Sequence, residues 1–225
     1  MPSRYCLSPR YVVDRVLESA YRWRHPGLPW LTPAANRFLE EYLRPTDVGL
    51  EFGSGRSTLW FARHLGQFTS VEHDEGWYRR VRASLDQAGV ANTCYHHVPQ
   101  DVPHEDGATS AYARILERFG DDTLDIVLVD GVYRDACALR ALAKLRAGGL
   151  LVIDNVNWYL PCRSRAPASR RPSDGPATGV WRQVWESVAP WRRYWTSNGV
   201  TDTALFFKPA PARALDPGTT VASRT

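Results

Sequence analysis

A chain of 225 residues, 44% hydrophobic and 23% charged, is long enough to close one sizeable core and a little long for one average domain. Its formal charge of +4 comes largely from arginines scattered singly along helical stretches, as on a solvated face, and without an RNA-binding aromatic motif or a helix-turn-helix signature a nucleic-acid partner is not expected. No run approaches the roughly 18 apolar residues of a membrane span, Met1 to Arg10 lacks the apolar centre of a signal peptide, and Cys6, Cys94, Cys137 and Cys162 lie too far apart for a zinc site or a disulfide framework, so a cytoplasmic protein without a membrane partner is expected.

Tyr11, Val12, Val16, Leu17 and Tyr21 recur at three-to-four spacing and predict an amphipathic helix from Tyr11 to Trp23, whose apolar side must pack onto something. Thr32 as N-cap with Pro33 at the first helical position predicts a second helix carrying Phe38, Leu39 and Tyr42, stopped by Pro45. Residues 1–45 thus read as a helical cover. Beyond Pro45, short apolar runs alternate with helical stretches, the pattern of βαβ units and a mostly parallel sheet. Strands are predicted at Val48–Phe52, Phe68–Glu72, Thr93–Val98, Ile126–Asp130 and Leu150–Asp154, and helices at Ser57–Leu65, Trp77–Ala88, Ala108–Phe119 and Arg134–Leu145. The segment Cys162 to Gly179, rich in Pro, Ser, Ala and Gly and carrying Arg163, Arg165, Arg170 and Arg171, reads as a mobile loop. A helix over Val180–Val188 follows, then a hairpin of Arg193–Trp195 and Thr203–Lys208 around Ser197-Asn198-Gly199. The expected fold over residues 46–208 is α/β: a doubly wound, mostly parallel, seven-stranded sheet with a terminal antiparallel hairpin. The Pro/Ala/Thr/Ser-rich residues 209–225 are expected to be disordered.

Strand ends at Phe52, Glu72, Asp130 and Asp154 run straight into polar or glycine residues, which places four candidate site segments on one rim. The strongest local signal is Glu51-Phe52-Gly53-Ser54-Gly55-Arg56-Ser57-Thr58, leaving a strand and opening a helix. Gly53 and Gly55 let the backbone turn tightly and approach a ligand closely. Glu72 ends the next strand, 19 residues after Gly53, where a carboxylate can take both hydroxyls of a ribose, and Glu51 stands where it can accept from an ammonium group. Thr58 occupies the place of the third glycine of a dinucleotide fingerprint, so a nucleoside without phosphates is favoured over a dinucleotide.

These residues, with Ser70-Val71-Glu72, Leu124-Asp125-Ile126-Val127-Leu128-Val129-Asp130-Gly131, Gly148-Gly149-Leu150-Leu151-Val152-Ile153-Asp154-Asn155 and the terminal hairpin, resemble a class I S-adenosylmethionine-dependent methyltransferase over roughly Val48 to Lys208. The resemblance implies S-adenosylmethionine as cofactor, held by Glu51, Gly53, Ser54, Gly55, Ser57, Glu72, His73 and Asp130. Gly53 and Gly55 would pass its methionine part, Glu51 its amino group and Glu72 its ribose. It implies methyl transfer to oxygen or nitrogen of a small molecule, with Asp130, Asn155 or Asn157 orienting or deprotonating the acceptor. In the related catechol-type O-methyltransferases a magnesium ion is held at the places of Asp130, Asp154 and Asn155. Here Gly131-Val132-Tyr133-Arg134 departs from the basic residue of that branch, and the alternative is that Asp130 caps a helix or binds substrate while Asn155 orders a loop.

The chain is also similar to azetidine-2-carboxylate synthases of the same fold, in size, in its helical cover, and in Asn155, Asn157, Tyr159, Tyr194 and Ser197. That second resemblance implies attack of the cofactor's own amine on its γ-carbon and release of methylthioadenosine. Trp158 or Tyr159 is expected to line the pocket, where aromatic faces attract a sulfonium. His96, His97 and Tyr112 are read either as site groups or as ordinary packed residues, and a homodimer is left open.

Overall fold

The computed structural model of the protein describes residues 8–210. It contains strands β1 (Val48–Phe52), β2 (Gln67–Glu72), β3 (Thr93–His97), β4 (Leu124–Val129), β5 (Leu145–Asp154), β6 (Arg192–Ser197) and β7 (Asp202–Phe207). These form one seven-stranded sheet in the order β3-β2-β1-β4-β5-β7-β6. The first five strands pair in parallel, and β7 runs antiparallel between β5 and β6. Strand order reverses at β1, and the crevice that such a reversal opens lies at the carboxyl ends of β1 and β4.

The helices are α1 (Pro9–Arg24), α2 (Pro33–Tyr42), α3 (Arg56–His64), α4 (Glu75–Gln87), α5 (Ala111–Arg114), α6 (Arg134–Lys144) and α7 (Gly179–Val188). They cover both faces of the sheet, which is why Ile126–Val129 of β4 reads as an unbroken apolar run. Ile126 and Leu128 pack with Leu39 of α2 and Phe61 of α3 on one face. Val127 and Val129 pack with Ala138 of α6 and Trp181 and Val184 of α7 on the other. Each such side chain contributes about 1.5–3 kcal/mol on full burial.

Ser8, Thr32, Asp74, Ser110 and Thr178 each accept a hydrogen bond from a backbone N–H in the first turn of the helix that follows. Thr32 also fixes the cover to the sheet: its hydroxyl bonds that of Thr196, and its N–H donates to Thr203 Oγ1 at 3.2 Å. In the hairpin, Asn198 Oδ1 accepts from the N–H groups of Val200 and Thr201, and Gly199 takes a φ of +81°.

Four expectations require correction. The single helix expected over Ala108–Phe119 is instead a 3₁₀ turn at His104–Thr109, the four-residue α5 and a second 3₁₀ turn at Ile115–Arg118. Ser110 causes the break: its backbone is extended, and its hydroxyl donates to Gly107 O at 2.6 Å while accepting from Ala113 N at 3.1 Å. β5 starts five residues earlier than expected, because Leu124 pairs with Leu145 and Ile126 with Leu150, leaving the intervening residues as a bulge.

The segment Cys162–Gly179, expected to be mobile, is pinned. Arg170 donates to the carbonyls of Gly175 at 2.6 Å and Asp174 at 3.0 Å, Arg171 donates to Ser164 O at 2.8 Å, and Ser164 Oγ donates to Asp202 at 2.8 Å. The fourth correction concerns α1, whose buried side chain is Glu18, paired with Arg15 and Arg22. Val12, Val16 and Leu17, three of the residues expected to pack, are each more than half exposed, at 54%, 62% and 62%, while Tyr11 and Tyr21 are partly buried. Residues 211–225, most of the expected tail, lie outside the described residues. Among the described residues no helix is long and apolar enough to cross a membrane.

Candidate active site

The rim is shaped by two glycines lying back to back. Gly53, just past β1, has a φ of +89°, and a Cβ there would come within 2.6 Å of the Gly131 nitrogen, just past β4. A Cβ on Gly131 would come within 2.1 Å of the Tyr112 hydroxyl, itself buried and donating to Val71 O. Tyr112 is thus a core residue. Gly55 differs, because its missing Cβ would stand 3.9 Å from the nearest atoms, Ser57 Oγ and Trp77 Nε1. Its bareness leaves space beside the cleft.

Glu51 is fully buried on the α3 side of β1. Its Oε1 accepts from Thr58 Oγ1 and, at 2.7 Å, from Ser70 Oγ, and the Ser57 hydroxyl also favours its ionised form. Burial nevertheless pushes its pKa up to about 7, and Oε2 has no hydrogen-bond partner of good geometry. Thr58, the residue that replaces a third glycine, therefore supports the carboxylate and also accepts from Gly55 N at 2.9 Å. Glu72 is held more fully. Oε2 accepts from Ser54 N and Ser54 Oγ, both at 2.9 Å, and Oε1 accepts from the N–H groups of His73 at 2.8 Å and Asp74 at 2.9 Å. The His73 ring nitrogen Nδ1 lies 2.9 Å from that same Oε1.

The crevice has two lobes that share Ser54, Trp77 and Asp130. One, about 480 Å³, is lined by Gly53, Glu72, His73, Asp74, Gly131 and Arg134, and the other, about 350 Å³, by Trp30, Leu31, Gly55, Arg56 and Ser57. Trp77 is fixed between them by its Nε1 donating to Ser54 O at 2.6 Å. Its contribution, like that of Trp30, is absent from the sequence reading, since neither carries a motif. A larger cavity of about 750 Å³ lies at the other end of the sheet among Cys162, Arg163, Trp185 and Trp195, and it holds none of the motif residues of β1, β2 or β4.

Asp130 stands at the junction of the lobes with its side chain 32% accessible. Burial raises its pKa, an effect opposed by Arg134, which donates to Oδ1 at 2.8 Å. Its Oδ2 takes no protein hydrogen bond among the described residues. Arg134 is a residue the sequence reading treated only as a departure from a pattern. It donates to the carbonyls of Asp130, Gly131 and Asp154 and to the side chains of Asp130 and Asn155, at 2.7–3.0 Å. One planar guanidinium thereby clips the loop after β4 to the loop after β5.

That clip decides the magnesium reading. A fixed cation already sits between Asp130 Oδ1 and Asn155 Oδ1, while Asp154 Oδ1 is buried and accepts from Thr203 Oγ1 at 2.6 Å. Burial and the neighbouring Asp130 push Asp154 up to about 7, so the set offers no ring of open oxygen donors and does not fit magnesium.

The polar and aromatic residues expected beside the sulfonium do not converge either. Asn155 Nδ2 donates to Thr201 Oγ1 at 2.7 Å, so its amide is occupied at both ends. Asn157 is buried, with Nδ2 on Pro167 O and Ser169 Oγ and with Oδ1 accepting from Asp202 N. Tyr159 stacks on Trp181 at 4.9 Å, and Trp158 beside it is exposed. Neither lines the crevice. Tyr194 lies on β6, four strands from β1 and roughly 19 Å away at about 4.8 Å per strand, against Phe38 of α2. Ser197 accepts from Gly199 N inside the hairpin turn. Asn157, Tyr159 and Tyr194 thus stand outside the lining of the two-lobed crevice, each engaged with its own neighbours.

Comparison with known proteins gives three findings. The methyltransferase-domain family matches residues 50–156, which runs from β1 to the turn after β5. Among solved structures, a methyltransferase-like protein of Silicibacter pomeroyi is 25% identical, covering 82% of this chain and 90% of its own, with a TM-score of 0.54. At the level of fold alone, the Streptococcus mutans protein SMU.1697c in complex with SAH is 12% identical over 78% of this chain and 96% of its own, TM-score 0.51. An rRNA methylase of Streptococcus thermophilus is 13% identical over 79% and 95%, TM-score 0.51. No curated protein matches the chain.

Proposed function

We propose that the chain, whose residues 50–156 match a methyltransferase-domain family, is a class I S-adenosylmethionine-dependent methyltransferase that methylates oxygen or nitrogen of a small molecule in the two-lobed crevice. The observation that supports this most is the set of groups with spare capacity at the ends of β1 and β4: the buried but unpaired Glu51 Oε2, the bare side of Gly55, and Asp130 Oδ2. When bound, the cofactor supplies a sulfonium methyl group open to in-line attack.

The protein's own groups divide the work. Glu51 offers Oε2 to the amino group, directly or through one water, and gains its charge as that cation arrives. Glu72 meets the ribose, whose hydroxyl takes the place of Ser54 Oγ at Oε2, while the backbone N–H groups of Ser54, His73 and Asp74 hold the carboxylate in place. Ser57 and His73 support Glu51 and Glu72 respectively. Asp130 Oδ2 faces the shared centre of the lobes, and with a pKa raised by burial it orients the acceptor and takes its proton. Arg134 keeps that carboxylate in one rotamer. Trp30 and Trp77 narrow the opening, and holding the reactants in line supplies part of the rate.

Titration calorimetry with S-adenosylmethionine tests the reading. The wild type is expected to bind, and Glu72→Ala to weaken binding at least tenfold. Mass spectrometry of protein incubated with the cofactor alone should return it unchanged. Methylthioadenosine with a cyclic amino acid would replace methyl transfer by self-cyclisation, and a wild type that fails to bind the cofactor would remove the proposal.

A further inference from the structure

Most arginines of the described residues are committed to partners. Arg15 and Arg22 pair with Glu18, Arg79 with Glu75, Arg114 and Arg140 with Glu117, and Arg146 with Asp125, while Arg134, Arg170 and Arg171 hold backbone carbonyls. Several other arginines of the described residues, among them Arg24, Arg37, Arg118 and Arg182, pair with no acidic side chain, and neither do Arg56, Arg63 and Arg80, but these three line one continuous depression. A third hollow of about 240 Å³ contains Arg56, Arg63 and Arg80 with Pro26, Leu59 and Val81, and it shares Gly55, Arg56 and Trp77 with the Trp30 lobe of the crevice.

The aromatic floor fixes the two inner arginines. The Arg56 guanidinium lies 5.3 Å over the Trp30 ring, and Arg80 lies 5.9 Å over Trp77, whose indole is anchored on Ser54. Arg56 and Arg63 stand seven residues apart on α3, two turns and about 10 Å along one helix face. Arg80 faces them from α4, one position beyond Arg79, which has found its own carboxylate.

We infer that this groove is the specificity site for the acceptor, taking the phosphate-bearing end of a small molecule whose nucleophile reaches Asp130. Guanidinium forks match phosphate oxygens geometrically, and free guanidiniums stacked on tryptophan are pre-oriented for them. The span of about 10 Å suits one or two phosphate groups. It is short for a nucleic-acid strand, which draws on a long basic face. The inference deepens the methyltransferase reading and rests on it for the identity of the reaction, but the groove can be tested by itself.

The probe is inorganic tripolyphosphate, titrated into the full chain by calorimetry alongside S-adenosylmethionine, with the triple variant Arg56→Ala/Arg63→Ala/Arg80→Ala. Tripolyphosphate is expected to bind the wild type and to lose at least tenfold in the triple variant, while Arg63→Ala/Arg80→Ala, which keeps the crevice-lining Arg56, should lose at least threefold and hold S-adenosylmethionine affinity within twofold. A triple lysine variant, which retains charge and guards against loss of fold, should keep tripolyphosphate binding within about fivefold of wild type, and Arg114→Ala should leave it unchanged. Equal tripolyphosphate affinity in wild type and triple alanine variant overturns the inference. So does loss of cofactor binding alone, which would assign the arginines to the cofactor, or a single-stranded RNA 20-mer that binds tenfold tighter than tripolyphosphate through the same residues. Failure of the wild type to bind S-adenosylmethionine, with the tripolyphosphate result intact, breaks the methyltransferase reading and leaves the anion groove standing.

Discussion

The carboxyl-end rim of the sheet has two halves that look alike in sequence and differ in their chemistry. On the β5/β7 half, polar side chains meet one another: Asp154 accepts from Thr203, Asn155 from Arg134, Asn157 bridges a loop and a strand, and Asp202 accepts from Ser164 and from Trp195. On the β1/β2/β4 half, Glu51 and Asp130 each keep an oxygen without a protein hydrogen bond among the described residues, and Gly55 leaves room beside the cleft. Polar residues at strand ends therefore do not by themselves mark a site. What separates a ligand-facing half from a structural one is whether the hydrogen-bonding capacity is already filled.

Substitutions can break this comparison, and the largest effect is expected where the two halves of the crevice meet. Gly53→Ala drives a methyl group into the Gly131 backbone at a positive φ and should cost about 3 kcal/mol or prevent folding, read by urea denaturation. Arg134→Ala comes next. It leaves the Asp130 carboxylate and several loop carbonyls without their donor and should cost about 3 kcal/mol, with Lys restoring only part because it has fewer donors in a different shape.

Asn157→Ala should cost about 2 kcal/mol through its unpaired Asp202 N–H and loop carbonyl, yet leave S-adenosylmethionine affinity within twofold. A tenfold loss of affinity there would return Asn157 to the site and erase the distinction between the halves. The pH dependence sharpens it. Glu51 and Asp154 carry folded pKa values near 7 against ordinary values of 4.5 and 3.8, so between those limits the folded state binds more protons than the unfolded one. Stability should therefore fall as pH rises from about 4 to 7. Glu51→Gln should flatten much of that slope in thermal melts at pH 5 and pH 7.5, and should also abolish the rise in cofactor affinity over the same window. Smallest of all, Tyr194→Ala on the half-exposed edge strand should change stability by less than about 1 kcal/mol and leave the crevice untouched.

The parts of the fold legible in the sequence are those set by local pattern. The alternation of short apolar runs and helices located all five parallel strands, most sharply β1 and β4, which are buried on both faces and break at Gly53 and Gly131. The Asn198-Gly199 pair located the hairpin because Gly199 supplies the positive φ that the turn needs. Legibility ended where tertiary contacts decide. Ser110 interrupts a helical pattern with two hydrogen bonds that no periodicity reveals. The composition of Cys162–Gly179 is that of a linker, yet arginine forks closing on carbonyls within it make a fixed loop. At the rim the motif pointed to Glu51, Gly53, Gly55 and Glu72, while Trp30, Trp77 and Arg134 carry no motif and are recognisable only by what they touch. Asn157 and Tyr194 enter the sequence reading through a family resemblance, whereas Asn157 sits in the turn after β5, bonded to the loop around Pro167 and Ser169, and Tyr194 on the edge strand β6.

The strand order has a consequence for how the chain is made. Among the described residues β7 is the last strand in chain order and lies between β5 and β6, so residues Leu150–Asp154 of β5 wait for Asp202–Phe207 before their outer edge is paired. Until β7 has been synthesised, the motif-bearing half of the protein thus carries the open, apolar edge of β5 in addition to the β3 edge that the finished sheet keeps. That interval is when the nascent protein is most exposed to edge-to-edge aggregation, and when a chaperone has a defined strand to shield.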